Sequence, residues 1–133
     1  MPFSLANTTR SQRPPLPYRA LAEKVLGARY DLSVALVGDA RSRALNRRYR
    51  GKDKSANVLS FPLGESAGEI VLNLRAARMD APRFARTYRA MVATLFIHGL
   101  LHLKGLAHGR RMDKLEQTLI AHYVSPSVTR HRN

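Results

Sequence analysis

From about Asp80 to Lys104 the chain reads as one long helix, and the residues on it dictate where that helix must lie. Pro82 suits a first helical turn, where its missing N–H costs nothing. Gly105 suits the exit, where a left-handed residue is often needed. Tyr88, Val92, Leu95, Phe96 and Leu103 recur at helical spacing. A helix this apolar belongs in the core, with the other elements packed on it. Two residues resist that reading. His98 and His102, four apart, put two imidazoles on one side of a core helix, roughly 5–6 Å apart at Cβ.

The other elements are short. Leu21, Val25 and Leu26 predict a helix stopped by Gly27, and the apolar, β-branched run 31–38 predicts a buried strand. Asp39 can cap a helix to about Tyr49, with Leu45 and Tyr49 on one face. Strands follow at about 57–61, stopped by Pro62, and at 68–73, then a short helix at 74–79 and a last helix from Asp113 to about Tyr123. This pattern of helices mixed with a small sheet predicts an α+β or α/β class, in a single domain. Residues 1–15 read as a flexible N-terminal segment, 16–124 as the folded domain, and 125–133 as a basic tail.

The 133 residues contain 23 Lys and Arg against 9 Asp and Glu, a net charge of +14, and no cysteine. Thiolate metal sites and disulfides are excluded, and a reducing cytoplasm is the expected location. No run approaches the roughly 20 apolar residues of a membrane helix, so no membrane partner is expected. A field this positive draws in polyanions, nucleic acid first among them.

His98 and His102 can grip one zinc at roughly 2.0–2.1 Å each, and Gly105 lets the chain turn so that His108 returns as a third ligand. Three protein ligands leave a fourth position open, the arrangement of a catalytic rather than a structural zinc site. His122 and His131 have no such partners and read as surface residues. The spacing H-x-x-x-H-x-x-G-x-x-H is shared with the metzincin peptidases, which carry a glutamate base after the first histidine. That position is Gly99 here, so peptidase chemistry is not expected.

The stretch HGLLHLKGLAHG (98–109) resembles the signature of the YbeY proteins, ribosomal RNA maturation factors also described as endoribonucleases. LNRRYRGKDKSANVLSFP (45–62) resembles their second signature, GEIVLN (68–73) a third segment, and the likeness runs from about Leu32 to Glu116. The resemblance implies an α+β fold, a small mixed sheet packed against helices, with one zinc ion held by His98, His102 and His108 at the end of the long central helix. It also implies a metal-dependent endoribonuclease that cuts single-stranded RNA in 3′-end maturation of the small-subunit ribosomal RNA and in ribosome quality control. The implied partners are the small ribosomal subunit and its RNA, a ribosomal protein and an assembly GTPase. The alternative is a ribosome-assembly RNA-binding protein with a structural zinc.

Arg50 matches the arginine beside the family's metal cleft. At a helix exit it can hold a phosphate by two parallel hydrogen bonds, which lysine does less well, and Arg110 and Arg111 add to the field. The chain departs from the family at Ala107, where the family has aspartate, and at Leu106, where it has an aromatic. The nearest candidates for a general base are Glu69, Glu65 and Asp53. Tyr49 and Phe61 can stack a base, although core packing suits Phe61 better, and Ser60 can reach a group behind the metal.

Overall fold

The computed structural model describes residues 1–124; the basic tail expected at 125–133 lies outside the described residues. The chain order is β1 (Phe3–Asn7), α1 (Tyr18–Leu26), β2 (Asp31–Val37), α2 (Asp39–Arg50), β3 (Val58–Gly64), β4 (Ala67–Asn73), α3 (Leu74–Asp80), a 3-10 turn (Pro82–Phe84), α4 (Tyr88–Leu103) and α5 (Arg110–Tyr123). The four strands form one mixed sheet in the order β1-β2-β4-β3, with β3 antiparallel to β4 and the other pairs parallel. The α+β expectation holds.

Alternation along the strands decides the layering. Leu32, Val34 and Leu36 of β2 and Ile70 and Leu72 of β4 face one way, into a core shared with α1, α3, α4 and α5. Val37, Val71 and Leu59 face the other way, into a smaller cluster under α2. α4 is the centre of the large core: Met91 to Ile97 and Gly99 to Leu101 are all buried. No helix among the described residues is long and apolar enough to cross a membrane.

The structure corrects the sequence reading at four places. Residues 3–7, expected in a flexible segment, form β1 and pair in parallel with β2 from Phe3↔Leu32 to Asn7↔Leu36. The following stretch is held down as well: the hydroxyls of Tyr18 and Tyr88 donate to the carbonyls of Pro14 (2.7 Å) and Gln12 (3.0 Å). The long helix does not start at Pro82. Ala85 takes a left-handed conformation (φ 53°) that ends the 3-10 turn, and Thr87 opens α4 by accepting from the Ala90 N–H. Strand β3 runs past Pro62 to Gly64, because among the described residues it is an edge strand with a neighbour on one side only, where a missing N–H is tolerated. α5 starts at Arg110, three residues before Asp113.

Buried Asn73 joins three of these elements, β4, α2 and α3, to the loop before β3. Its Nδ2 donates to Asp39 Oδ1 (2.8 Å) and the Ala56 carbonyl (3.2 Å), and its Oδ1 caps α3 by accepting from the Ala76 N–H (3.1 Å). Asn73→Ala removes a cap worth about 1 kcal/mol and strands buried partners at about 1–3 kcal/mol. Urea unfolding is expected to show a loss of about 2–3 kcal/mol, against about 1 kcal/mol for the single cap in Thr87→Ala.

Candidate metal centre

α4 brings His98 and His102 to the edge of the core in its last two turns. Gly105 (φ 103°) turns the chain, and His108 follows on the short loop before α5. The ring centroids lie 4.5, 4.9 and 4.7 Å apart, and one ligand nitrogen from each ring falls within 4.8 Å of the others. The two helical histidines are half-buried and His108 is exposed.

The protonation of the two helical rings follows from their partners. His98 Nδ1 lies 2.7 Å from Glu116 Oε2, and His102 Nδ1 lies 3.1 Å from the Leu106 carbonyl oxygen. Both partners can only accept, so both Nδ1 atoms carry the proton and donate. In the neutral rings the two Nε2 lone pairs then face each other across 3.0 Å. Burial, and next the neighbouring His98 and His108, hold the His102 pKa below the ordinary histidine value, which favours the neutral, ligand-competent form. Facing lone pairs repel unless a cation lies between them. Ligands on a tetrahedral zinc at roughly 2.0–2.1 Å are about 3.3 Å apart. Donor type, spacing and the two anchored Nδ1 atoms therefore fit a metal of this kind.

A cavity of about 660 Å3 opens over the triad. Its far wall is Arg50, Asn57 and edge-strand residues Val58, Ser60 and Pro62. Arg50 ends α2 at the left-handed Gly51 (φ 69°), where the chain turns away, and Arg50 lines the cleft. Ser60 donates to the Gly99 carbonyl at 3.0 Å and ties β3 to α4 beside the histidines. Gly99 itself faces the sheet: a Cβ there would meet Ser60 Oγ at 3.2 Å and Ile70 Cδ1 at 3.3 Å. Any side chain at this position would press on Ser60 and Ile70 and loosen the packing of α4 on the sheet.

The candidate bases fare differently from the candidate ligands. Asp53 is exposed and bound by Arg43 (2.8 Å) and Arg47 (3.3 Å), and the Arg43 guanidinium holds its carboxyl below the usual range. Glu69 lines a cavity on the opposite face of the sheet, and Glu65 lies in the β3–β4 turn. None of the three lines the cleft. His122 packs against Tyr123 at 4.8 Å, away from the triad, and His131 is outside the described residues.

The residue that sequence reasoning missed is Glu116. It shares a stripe of α5 with buried Met112, Leu119 and half-buried Ile120, and its side chain is only 16% exposed. An acid on an apolar stripe demands a partner, and that is the signal it left in the sequence. The carboxylate behind His98 thus comes from α5, and not from the loop position occupied by exposed Ala107.

A family profile described as Endoribonuclease YbeY matches residues 11–123. Three proteins named Endoribonuclease YbeY illustrate the likeness. The chain is 44% identical over 89 residues to one from Anaeromyxobacter sp. (strain Fw109-5), covering 62% of this chain and 46% of that protein. It is 39% identical over 99 residues to one from Aromatoleum aromaticum, covering 68% and 64%. It is 32% identical over 142 aligned positions to one from Geobacter sulfurreducens, covering 90% and 95%. The match thus spans under half the length of the first relative and nearly all of the last. In three dimensions the chain is similar to a solution structure from Thermotoga maritima, with a TM-score of 0.62 at 23% identity over 90% of this chain and 87% of that one, a likeness of fold.

Carboxylates behind metal-binding histidines typically change metal affinity by about 10- to 100-fold. Glu116→Ala is expected to weaken zinc binding by that factor in competition with a chromogenic chelator, with an unchanged helical circular-dichroism signal. Ala107→Asp, at an exposed position, should move the affinity far less.

Proposed function

We propose that this chain, which belongs to the YbeY endoribonuclease family, is a zinc-dependent endoribonuclease that cuts single-stranded RNA. The observation that carries this reading is the meeting of three histidines and Arg50 across one open cleft. Three imidazole donors suit zinc, and the hard oxygen-loving cations are poorly served by an all-nitrogen set. The relatives' name, Endoribonuclease YbeY, supplies the reaction class, and the +14 charge suits the polyanion.

When bound, the metal supplies positive charge that polarises a phosphodiester and eases deprotonation of a water. The rest falls to the chain. His98, His102 and His108 hold the ion. Glu116 and the Leu106 carbonyl fix the tautomer and direction of the two helical rings. Arg50 holds the phosphate from the opposite wall and meets the negative charge that grows on its oxygens. Ser60 keeps β3 at its distance from α4, which sets the width of the cleft. In the cell we assign this activity to 3′-end maturation and quality control of the small ribosomal subunit, in the cytoplasm, with a ribosomal protein and an assembly GTPase as partners.

One observation favours a second reading. Among the described residues no carboxylate lines the cleft, and Glu116 is engaged behind His98. A ribosome-assembly protein that binds RNA around a structural zinc would need no base. Cleavage separates the two: protein freed of contaminating nucleases should cut a defined single-stranded RNA, stop with chelator and resume with zinc. Intact RNA under all three conditions decides for the binding protein.

Two expectations follow from the cleft. Arg50→Ala should lower kcat/KM by about 10²- to 10³-fold, while Arg43→Ala, an exposed residue occupied by Asp53, should change it less than about threefold. Equal small losses would reduce Arg50 to one more surface charge. RNA affinity should fall steeply and linearly with salt on a log–log plot, and peptides should not be cleaved.

A further inference from the structure

On the face of the sheet away from the metal cleft lies a second cavity, of about 600 Å3, for which the metal chemistry has no use. Its floor is apolar, with Ala35, Val37 and Val71 from the sheet and Leu45 from α2. α2 presents Arg41, Leu45 and Tyr49 to it at four-residue spacing, a single row along the helix. Across the groove, Phe61 of β3 packs against Tyr49 with ring centroids 5.5 Å apart. Tyr49 remains 58% exposed and Leu63 67%, so the fold leaves this aromatic and aliphatic surface uncovered. The Arg48 guanidinium lies 5.3 Å over the Tyr49 ring. Glu69 is the only carboxylate in the lining, and no ion pair among the described residues uses it.

Two elements join this groove to the metal cleft. Strand β3 divides them: Val58 and Ser60 face the cleft, Phe61 faces the groove, and Pro62 lines both. Helix α2 serves both as well, with its Tyr49 row in the groove and Arg50 in the cleft. A strand of RNA with a phosphate on Arg50 has one edge strand to cross, a width of about 5 Å.

We propose that this groove is a nucleobase site: RNA held at Arg50 passes over the β3 edge at Pro62 and lays a neighbouring base on Tyr49 and Phe61. The proposal rests on the RNA reading of the cleft and names how that substrate is held. A flat ring stacks on an exposed aromatic whatever its identity, and a guanidinium over the ring strengthens such a platform. Arg41 and Arg48 suit the phosphates on either side. A peptide segment could cover the same apolar floor, but it has no use for these cations. Glu69 adds selectivity. A carboxylate accepts from the exocyclic amino group of adenine or cytosine, a donor that uracil lacks.

The test uses the full chain and cleavage-resistant phosphorothioate hexamers of adenosine, of uridine and of abasic ribose. The adenosine hexamer should shift the NMR signals of Ala35, Leu63 and Val71 together with those of Arg50. Tyr49→Ala should weaken it about tenfold by fluorescence anisotropy and leave the abasic hexamer unchanged. Adenosine should bind several-fold tighter than uridine, and Glu69→Ala should erase that difference. If Arg50 shifts while the groove signals stay still, or if Tyr49→Ala weakens the abasic hexamer equally, the nucleobase site is overturned, the RNA reading of the cleft stands, and the groove is left to a protein partner. Absence of binding at either place overturns both.

Discussion

The closeness of α4 to the sheet at Gly99 is the contact on which the rest depends. With no side chain there, the helix lies against Ser60 and Ile70 at a distance that even a methyl group would strain. That approach places the edge strand beside the helix, so that Val58 and Ser60 can form a wall opposite His98 and His102. The helix that carries two of the three histidines is itself buried from Ala90 to Ile97 and again from Gly99 to Leu101. Two imidazoles can be aimed only as well as their backbone is fixed, and a helix packed on nearly all sides has little freedom to tilt.

The charges are distributed with the same economy. Carboxylates along the walls of the cleft would repel the proposed phosphate, and the described acids are turned elsewhere. Asp53 binds two arginines on the surface of α2, and Asp39 pairs with Arg75 while accepting from Asn73. Glu116 is the exception in position but not in logic. It stands behind the imidazole, where it can strengthen the ring as a donor without presenting its charge to a substrate.

Much of this was legible in the sequence. The histidine spacing, the turn at Gly105 and the helix exit at Arg50 are local features, and local features survive folding. What failed was non-local. β1 is five residues of weak alternation whose reason to be a strand is β2, about thirty positions away. The break between α3 and α4 turns on a left-handed alanine, which no alanine advertises. The candidate bases lie on or just before the β3–β4 hairpin, and the alternation of the sheet carries Glu69 to its other face. Glu116, eight residues past His108, is nearer the triad along the chain than any of those bases, but only the α4–α5 packing sets it against His98.

Strand β3 carries a further burden because it lies at the margin of the sheet. Among the described residues it hydrogen-bonds to β4 alone, which leaves one row of backbone groups able to recruit a strand from another molecule. Sheet margins of this kind are where fibrous self-association begins, and proline and irregular register are the usual protections. Here Pro62 and the register shift before Gly64 provide both, at the very residues that separate cleft from groove. The wall of the site and the guard against aggregation are therefore one piece of chain. A substitution that straightened the strand to sharpen the cleft would also restore a template for misassembly, so the shape of this wall is set by solubility as much as by chemistry.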